Sequence, residues 1–126
     1  MSGGNDRERF AILKNSAAFN AVFKQGKSFH TDAFVCFYLP CGDLAAAQRA
    51  QKGFVASKKV GGAAERNYAK RRMREIFRAN EAKIPRGKYA MVAKKPILEA
   101  NFAALLRDFS RAAHSFIKYS KGLDIA

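Results

Sequence analysis

Hydrophobic positions recur at helical or strand spacing along most of this 126-residue chain, and they predict a domain that mixes helices and strands. The segment "AAFNAVFKQ", residues 17–25, is predicted to be a short helix, because Phe19 and Phe23 fall on one side of it. Gly26 is expected to end this helix. Residues 97–119 place apolar side chains at 3.6-residue spacing, which predicts a long amphipathic helix. Each helix therefore has an apolar side that can pack on a sheet.

Four further segments are predicted to be strands, because they are rich in β-branched and aromatic residues and lie between glycine, proline or polar breaks. One of them, "AFVCFYL", is apolar on both faces, so it is expected to be covered on both sides. Residues 40–52 are predicted to form an irregular connection. The predicted strands span residues 27–30, 33–39, 53–60 and 88–94.

The segment "ERNYAKRRMREIFR" lies in a helix predicted over residues 63–80, and it combines an apolar stripe with a cationic side. At about 100° per residue, the stripe that must be buried on the sheet consists of Ala69, Met73, Ile76 and Phe77. Six polar residues fall together on another side of the helix, which we call the basic arc. The basic arc consists of Arg66, Asn67, Lys70, Arg71, Arg74 and Arg78. Arg72 and Tyr68 lie outside it.

The predicted order of elements is αβββαβα, which is typical of one α+β domain in which helices pack on a four-stranded sheet as an α/β sandwich. A chain of this length supports one hydrophobic core. The domain is expected to cover residues 1–126, and the polar ends, residues 1–9 and 120–126, are candidates for disorder.

Charge narrows the choice of partner. Lys and Arg number 24 against 10 acidic residues, so the net charge is +14, which favours nucleic acid, with an anionic membrane surface as the alternative. No apolar run is long enough to span a bilayer and no signal segment is recognised, so a cytoplasmic protein without a membrane partner is predicted. Cys36 and Cys41 are predicted to be reduced core or loop residues.

The basic arc is either a solvated surface or a binding surface for phosphates. Solvated helix faces usually mix both signs of charge, whereas this arc carries only one. Cations on successive turns lie about 5 to 6 Å apart, close to the spacing of phosphates along a nucleic-acid strand. Asn67 adds a neutral donor and acceptor for a sugar or a base. The arc therefore predicts contact with a polyphosphate backbone.

The stretch "SKKVGGAAERNYAKRRMRE" resembles the signature of the protein subunit of bacterial ribonuclease P, and so do "FNAVFKQGKSFH", "FVCFYLP" and "GKYAMVAKKP". The resemblance implies an S5 domain 2-like fold, named after a ribosomal protein, with a left-handed βαβ crossover. It also implies RNA-assisted endonucleolytic removal of the 5′ leader from precursor tRNA. The catalytic centre and the Mg²⁺ requirement would belong to the RNA subunit, with no cofactor of the protein itself and no obligatory protein partner.

The resemblance further implies two binding surfaces. The basic arc would contact the catalytic RNA, and a cleft between the first helix and the sheet would receive the single-stranded leader of precursor tRNA. Aromatic side chains beside a cationic groove are a common way to hold single-stranded RNA, although most aromatic residues of a small domain belong to its core. The expected cleft residues are Phe19, Phe23, Phe37, Lys58 and Lys59.

Two positions depart from the family pattern. The family has a second arginine where this chain has Tyr68, and an asparagine where it has Gly62. Because Tyr68 points away from the basic arc, the loss of charge is expected to weaken binding only modestly. Its ring is expected either to stack on a base or to pack on the protein.

The sequence predicts no catalytic residue and no metal ligand in the protein. A protein nuclease generally needs converging carboxylates or paired histidines, whereas the acidic residues here are scattered, and His30 and His114 are expected to be surface or packing residues. This pattern disfavours a protein-only nuclease, and no helix-turn-helix pattern supports a DNA-binding protein. A ribosomal or other structural RNA-binding protein remains the alternative, because its composition would be similar.

Overall fold

The computed structural model describes residues 10–40 and 50–125, which fold into a sheet with helices on both of its faces. The strands are β1 (Phe10–Ile12), β2 (Lys27–His30), β3 (Phe34–Pro40), β4 (Ala50–Val55) and β5 (Gly87–Ala93). The helices are α1 (Ser16–Gln25), α2 (Ala63–Asn80) and α3 (Phe102–Ile125), with short 3₁₀ turns at Glu81–Lys83 and Lys95–Leu98.

The sheet has five strands in the order β1-β4-β5-β3-β2. The predicted four-stranded sheet and the order αβββαβα are therefore wrong, and the order along the described chain is βαβββαβα. The missing strand, β1, is only three residues long and follows a polar segment, so it carries little periodicity. Phe10 anchors it, since its ring lies 5.1 Å from the ring of Phe77 and 5.7 Å from that of Tyr89.

The bounds of two elements, β4 and α3, differ most from the prediction. Strand β4 begins at Ala50, inside the predicted connection, and ends at Val55, so Lys58 and Lys59 lie in a turn after the strand. Helix α3 begins at Phe102, after a separate 3₁₀ turn that contains Pro96, and it continues to Ile125, beyond the predicted end at residue 119. Residues 41–49 of the predicted connection, Cys41 among them, and residues 1–9 lie outside the described residues.

Strand register divides the side chains between two faces. Helices α2 and α3 cover the face that carries Tyr38 and Tyr89, which we call the two-helix face. Helix α1 covers part of the opposite face, which carries Phe37 and Ala90 and which we call the α1 face. Strand β3 is buried on the two-helix face and half-buried on the α1 face, so the expectation that it is covered on both sides is confirmed in part.

The main core lies between the two-helix face and its helices. Phe77 and Phe109 meet there at 5.8 Å between ring centres, and Tyr38 stacks on Tyr89 at 4.9 Å. Cys36 is fully buried in the same core as a free thiol, and its burial raises the pKa of the thiol well above the usual range. Parallel strands β4 and β5 are neighbours joined through α2. The left hand of that crossover stays a prediction.

Candidate nucleic-acid interface

The angular prediction for α2 is confirmed for its buried stripe. Ala69, Met73, Ile76 and Phe77 have no exposed surface, and they pack into the main core. The six residues of the basic arc are not buried. Arg66 and Lys70 are half-buried beside the core, and the rest of the arc is exposed. Among the described residues, no arc cation forms an ion pair with a carboxylate.

The glycine turn before α2 fixes where the helix begins. Glu65 accepts a hydrogen bond from the backbone N–H of Gly62 at 2.8 Å, which is half of a capping box. Gly61 has φ +151°, and a Cβ atom there would collide with Oε1 of Glu65. A glycine is therefore required at Gly61, whereas Gly62 serves as an N-cap without a side chain. The turn places Arg66 and Asn67 in the first turns of α2.

Arg72 and Tyr68 have structural contacts. The buried guanidinium of Arg72 donates to the backbone oxygens of Ile97 at 3.2 Å and of Ala100 at 2.8 Å. The Tyr68 ring centre lies 5.4 Å from the Arg72 guanidinium and 5.7 Å from that of Arg71. The Tyr68 ring therefore packs against two arginines while the residue keeps 39% of its surface exposed, and stacking of the ring on a base stays a prediction. Arg72 ties α2 to the segment that precedes α3.

Replacing Arg72 by Met is expected to lower the free energy of unfolding by about 2 kcal/mol, because two buried carbonyl oxygens lose charged donors while the aliphatic volume is retained. Urea denaturation would measure the change. Arg71→Met is the matched control, since Arg71 is exposed and forms no comparable bonds, and it should change stability by less than about 0.5 kcal/mol. Equal stability of the two variants would contradict a stabilising role for the hydrogen bonds of Arg72.

The structure brings the three expected cleft aromatics together on the α1 face. Phe23 lies 6.0 Å from Phe19 and 5.0 Å from Phe37 between ring centres, and all three rings are half-buried. Gly53 makes this arrangement possible, because a Cβ atom there would collide with the Phe19 ring. The three rings form one continuous apolar surface between α1 and the sheet.

A row of residues beside these rings was not expected from the sequence. His30, Val35, Val92 and Val55 are cross-strand partners on the α1 face, one residue from each of four adjacent strands. All three valines are half-buried, so α1 leaves the row partly open. Strand alternation alone does not reveal such a row, because it depends on the register between strands. The row continues the surface of the α1 face beside the rings, where the cleft is expected.

Lys58 and Lys59 are exposed in the turn between β4 and α2. The hydroxyl of Ser57 accepts a hydrogen bond from the backbone N–H of Lys59 at 3.3 Å. The turn begins three residues after Val55, which ends the valine row. The two lysines therefore lie shortly after the end of β4, the strand that carries Val55. Their contact with RNA stays a prediction.

Residues 10–40 and 50–122 contain no group of three or more His, Cys, Asp or Glu side chains arranged to hold a metal ion. Among the helices of the described chain, none combines the length and apolar character needed to cross a bilayer.

Comparison with known proteins identifies the family. The family model described as Ribonuclease P matches residues 8–116, which include the basic arc and the cleft. The chain belongs to the ribonuclease P protein family. The ribonuclease P protein component of a Nitratiruptor species is 39% identical over 99 residues, covering 79% of this chain and 85% of that relative. Family membership confirms the function expected from the signature, that of the protein subunit of the endoribonuclease.

Solved structures agree with the fold. The ribonuclease P protein of Staphylococcus aureus matches with a TM-score of 0.67 at 23% identity, over 87% of this chain and 94% of that one. At this identity the likeness shows the fold alone. The protein from Thermotoga maritima, solved in complex with 1-(4-fluorophenyl)-2-thiourea, matches with a TM-score of 0.61 at 30% identity, over 75% and 90% of the two chains.

Proposed function

We propose that this ribonuclease P protein binds the catalytic RNA through the basic arc and the 5′ leader of precursor tRNA through the cleft on the α1 face. The proposed complex works in the cytoplasm, removes the leader by endonucleolytic cleavage, and needs no further protein. The observation that carries the proposal is the separation of two kinds of surface. One is the basic arc of α2, and the other is the cluster of half-buried rings of Phe19, Phe23 and Phe37 on the opposite face of the sheet.

The basic arc suits a phosphate backbone. Its cations occupy successive turns of α2, and Arg74 is held near the sheet, with its guanidinium carbon 5.9 Å from the Phe54 ring centre. The α2 stripe is fully buried, so the backbone of the helix is fixed against the sheet. Pre-positioned cations lose less conformational entropy on binding than free ones. This rigidity supports a specific docking surface for the RNA subunit.

The cleft suits a single strand whose sequence varies. Phe19, Phe23 and Phe37 offer faces on which any base can stack, and Lys58 and Lys59 would neutralise its phosphates. A leader differs from one precursor to the next, so recognition by stacking rather than by base-edge hydrogen bonds fits the substrate. The proposed Mg²⁺ ions act in the RNA, where the protein lowers the amount required by neutralising nearby phosphates.

Reconstitution tests the proposal. Adding the chain to a bacterial ribonuclease P RNA at low Mg²⁺ should raise the rate of 5′ cleavage of precursor tRNA above that of the RNA alone. A basic ribosomal protein of similar charge is the matched control, because it tests the alternative of a general RNA-binding protein. No stimulation by the chain, or equal stimulation by the ribosomal protein, would refute the proposed role.

A further inference from the structure

Helix α3 carries a second row of basic residues, which the proposed function does not use. Successive members are four, three, four and three residues apart, so on an ideal helix they fall within about 80° of one another. The row faces solvent, on the side opposite the buried Phe109 and Phe116. We call it the α3 row, and it consists of Arg107, Arg111, His114, Lys118 and Lys121, all exposed.

Grooves between α3 and the edge strand β2 extend this row. Lys27 of β2 lies with its Nζ atom 5.6 Å from the centre of the Tyr119 ring. The larger groove has a volume of about 440 Å³ and is lined by Lys27, Arg111, His114, Ser115, Lys118 and Tyr119. A second groove of about 410 Å³ is lined by Phe29, Arg107, Ser110, Arg111 and His114. The described residues give neither groove a carboxylate, and apart from the Phe29 ring their side chains attract or donate to phosphate.

The basic surface has a defined end. Nε of Arg107 lies 4.0 Å from a carboxylate oxygen of Asp108, and Asp108 lines a third, smaller groove together with Asp32. An anion approaching this end would meet two carboxylates. Arg111 lies at the boundary, because it lines this third groove as well as the two larger ones, so the part of the surface without a lining carboxylate is the larger groove with Lys27, Arg111 and Lys118. This basic surface is therefore a bounded patch, in contrast to the positive charge that is spread over the whole chain.

The α3 row faces away from both surfaces already described. Arg72 reaches from α2 to the segment before α3, and the arc residues Arg66, Lys70 and Arg74 lie about 120° to 160° around α2 from Arg72. The basic arc therefore points away from α3. The cleft lies on the opposite face of the sheet, since α3 packs on the two-helix face and α1 on the other. A leader bound in the cleft cannot lie along α3.

We infer that Lys27, Arg111 and Lys118 bind a second segment of the phosphate backbone of the ribonuclease P RNA, distinct from the segment held by the basic arc, an inference that rests on the proposed function. The row is about 21 Å long, at a rise of about 1.5 Å per residue. Lys27 lies over the Tyr119 ring, and Phe29 is the other ring that lines the two larger grooves, so the row offers no run of adjoining rings like that of Phe19, Phe23 and Phe37. A continuous backbone of structured RNA matches these properties, and the RNA subunit rather than the leader can reach this side.

The test uses the triple variant Lys27→Ala, Arg111→Ala and Lys118→Ala in the full chain, with binding to ribonuclease P RNA measured over a range of salt. At about 0.15 M salt, the loss of three phosphate contacts should weaken binding about tenfold to 100-fold and reduce the salt slope by about 2 to 3. Backbone footprinting of the saturated complex should lose one protected RNA segment and keep the segment that depends on the basic arc. Thermal melts establish that the variant is folded.

The charge-matched control is Lys14→Ala, Lys83→Ala and Lys95→Ala, which removes three exposed lysines outside all of these surfaces. Affinity and a footprint equal to those of the control would overturn the inference. So would a loss seen only in the binding of tRNA by the assembled complex, because that would assign the surface to the substrate. If changes in the basic arc weaken RNA binding while the α3 variant does not, only this inference fails. If neither the basic-arc variant nor the α3 variant weakens RNA binding, the proposed function itself fails.

Discussion

Replacing Arg66, Lys70 and Arg74 together by Ala should weaken binding of the ribonuclease P RNA by about tenfold to 100-fold at near-physiological salt. Each residue is expected to neutralise one phosphate, so the slope of log K against log salt should fall by about 2 to 3 in magnitude. The parent chain should itself show a steep salt dependence. Filter binding or fluorescence anisotropy at several salt concentrations would give both quantities.

Folding is not expected to account for this loss. Ala is a good helix former, and the three residues lie outside the buried stripe of α2. Arg66 and Lys70 are half-buried and Arg74 lies near Phe54, so a small loss of stability is expected and must be measured by thermal melting. The variant Lys14→Ala, Lys83→Ala and Lys95→Ala removes the same charge elsewhere. If both variants bound the RNA equally well, net charge rather than the basic arc would control assembly.

The basic arc could be predicted from the sequence because α2 obeys one physical rule. A helix packed on a sheet buries one stripe, and the fully buried positions Ala69, Met73, Ile76 and Phe77 have the periodicity of such a stripe. Once the buried stripe is set against the sheet, the direction of every other side chain around the axis of α2 follows. The same rule holds for α3, where Arg107, Arg111 and Lys118 share an angle opposite Phe109. The contribution of Lys27 to that surface could not be predicted, because it depends on which strand lies beside α3.

Other features depend on contacts between distant segments, which periodicity does not encode. Strand β1 is held by ring contacts from Phe10 to Phe77 and Tyr89, and nothing near Phe10 in the sequence indicates them. The angle of Arg72 placed it off the arc, but its backbone acceptors at Ile97 and Ala100 are more than twenty residues away. Arg72, although it lies in the basic signature, therefore stabilises the fold by joining α2 to the segment before α3. Register and long-range hydrogen bonds account for these differences.

The description of the cleft on the α1 face needed both the sequence resemblance and the contacts in the structure. The resemblance indicated Phe19, Phe23 and Phe37, and the structure places the Phe23 ring within 6.0 Å of each of the other two. The role of Gly53 in admitting the Phe19 ring could not be predicted from the sequence, because it requires knowing that this ring reaches β4 at Gly53. These contacts now allow a leader-binding test that separates stacking from packing.

The double variant Phe19→Leu and Phe37→Leu should weaken binding of precursor tRNA by the reconstituted complex about 30-fold or more, since each lost base stack is worth about 1 to 3 kcal/mol. Leucine keeps most of the apolar volume packed against Leu13 and Ala90 but has no ring face for a base. Mature tRNA has no leader, so its affinity should stay within about threefold of the parent value. The ratio of the two affinities is the quantity to measure.

Phe102→Leu is the matched control for that ratio, because Phe102 is an exposed ring at the start of α3, away from the cleft. The ratio should be unchanged by this control. A precursor whose leader is shortened until it no longer reaches the cleft should bind the parent and the double variant equally, because no base remains to stack. If the folded double variant lost precursor and mature tRNA to the same extent, the rings would support the complex as a whole rather than hold the leader. A selective loss of the long-leader precursor can arise only from a surface that touches the leader, which is why this comparison distinguishes a ribonuclease P subunit from a general RNA-binding protein of equal charge.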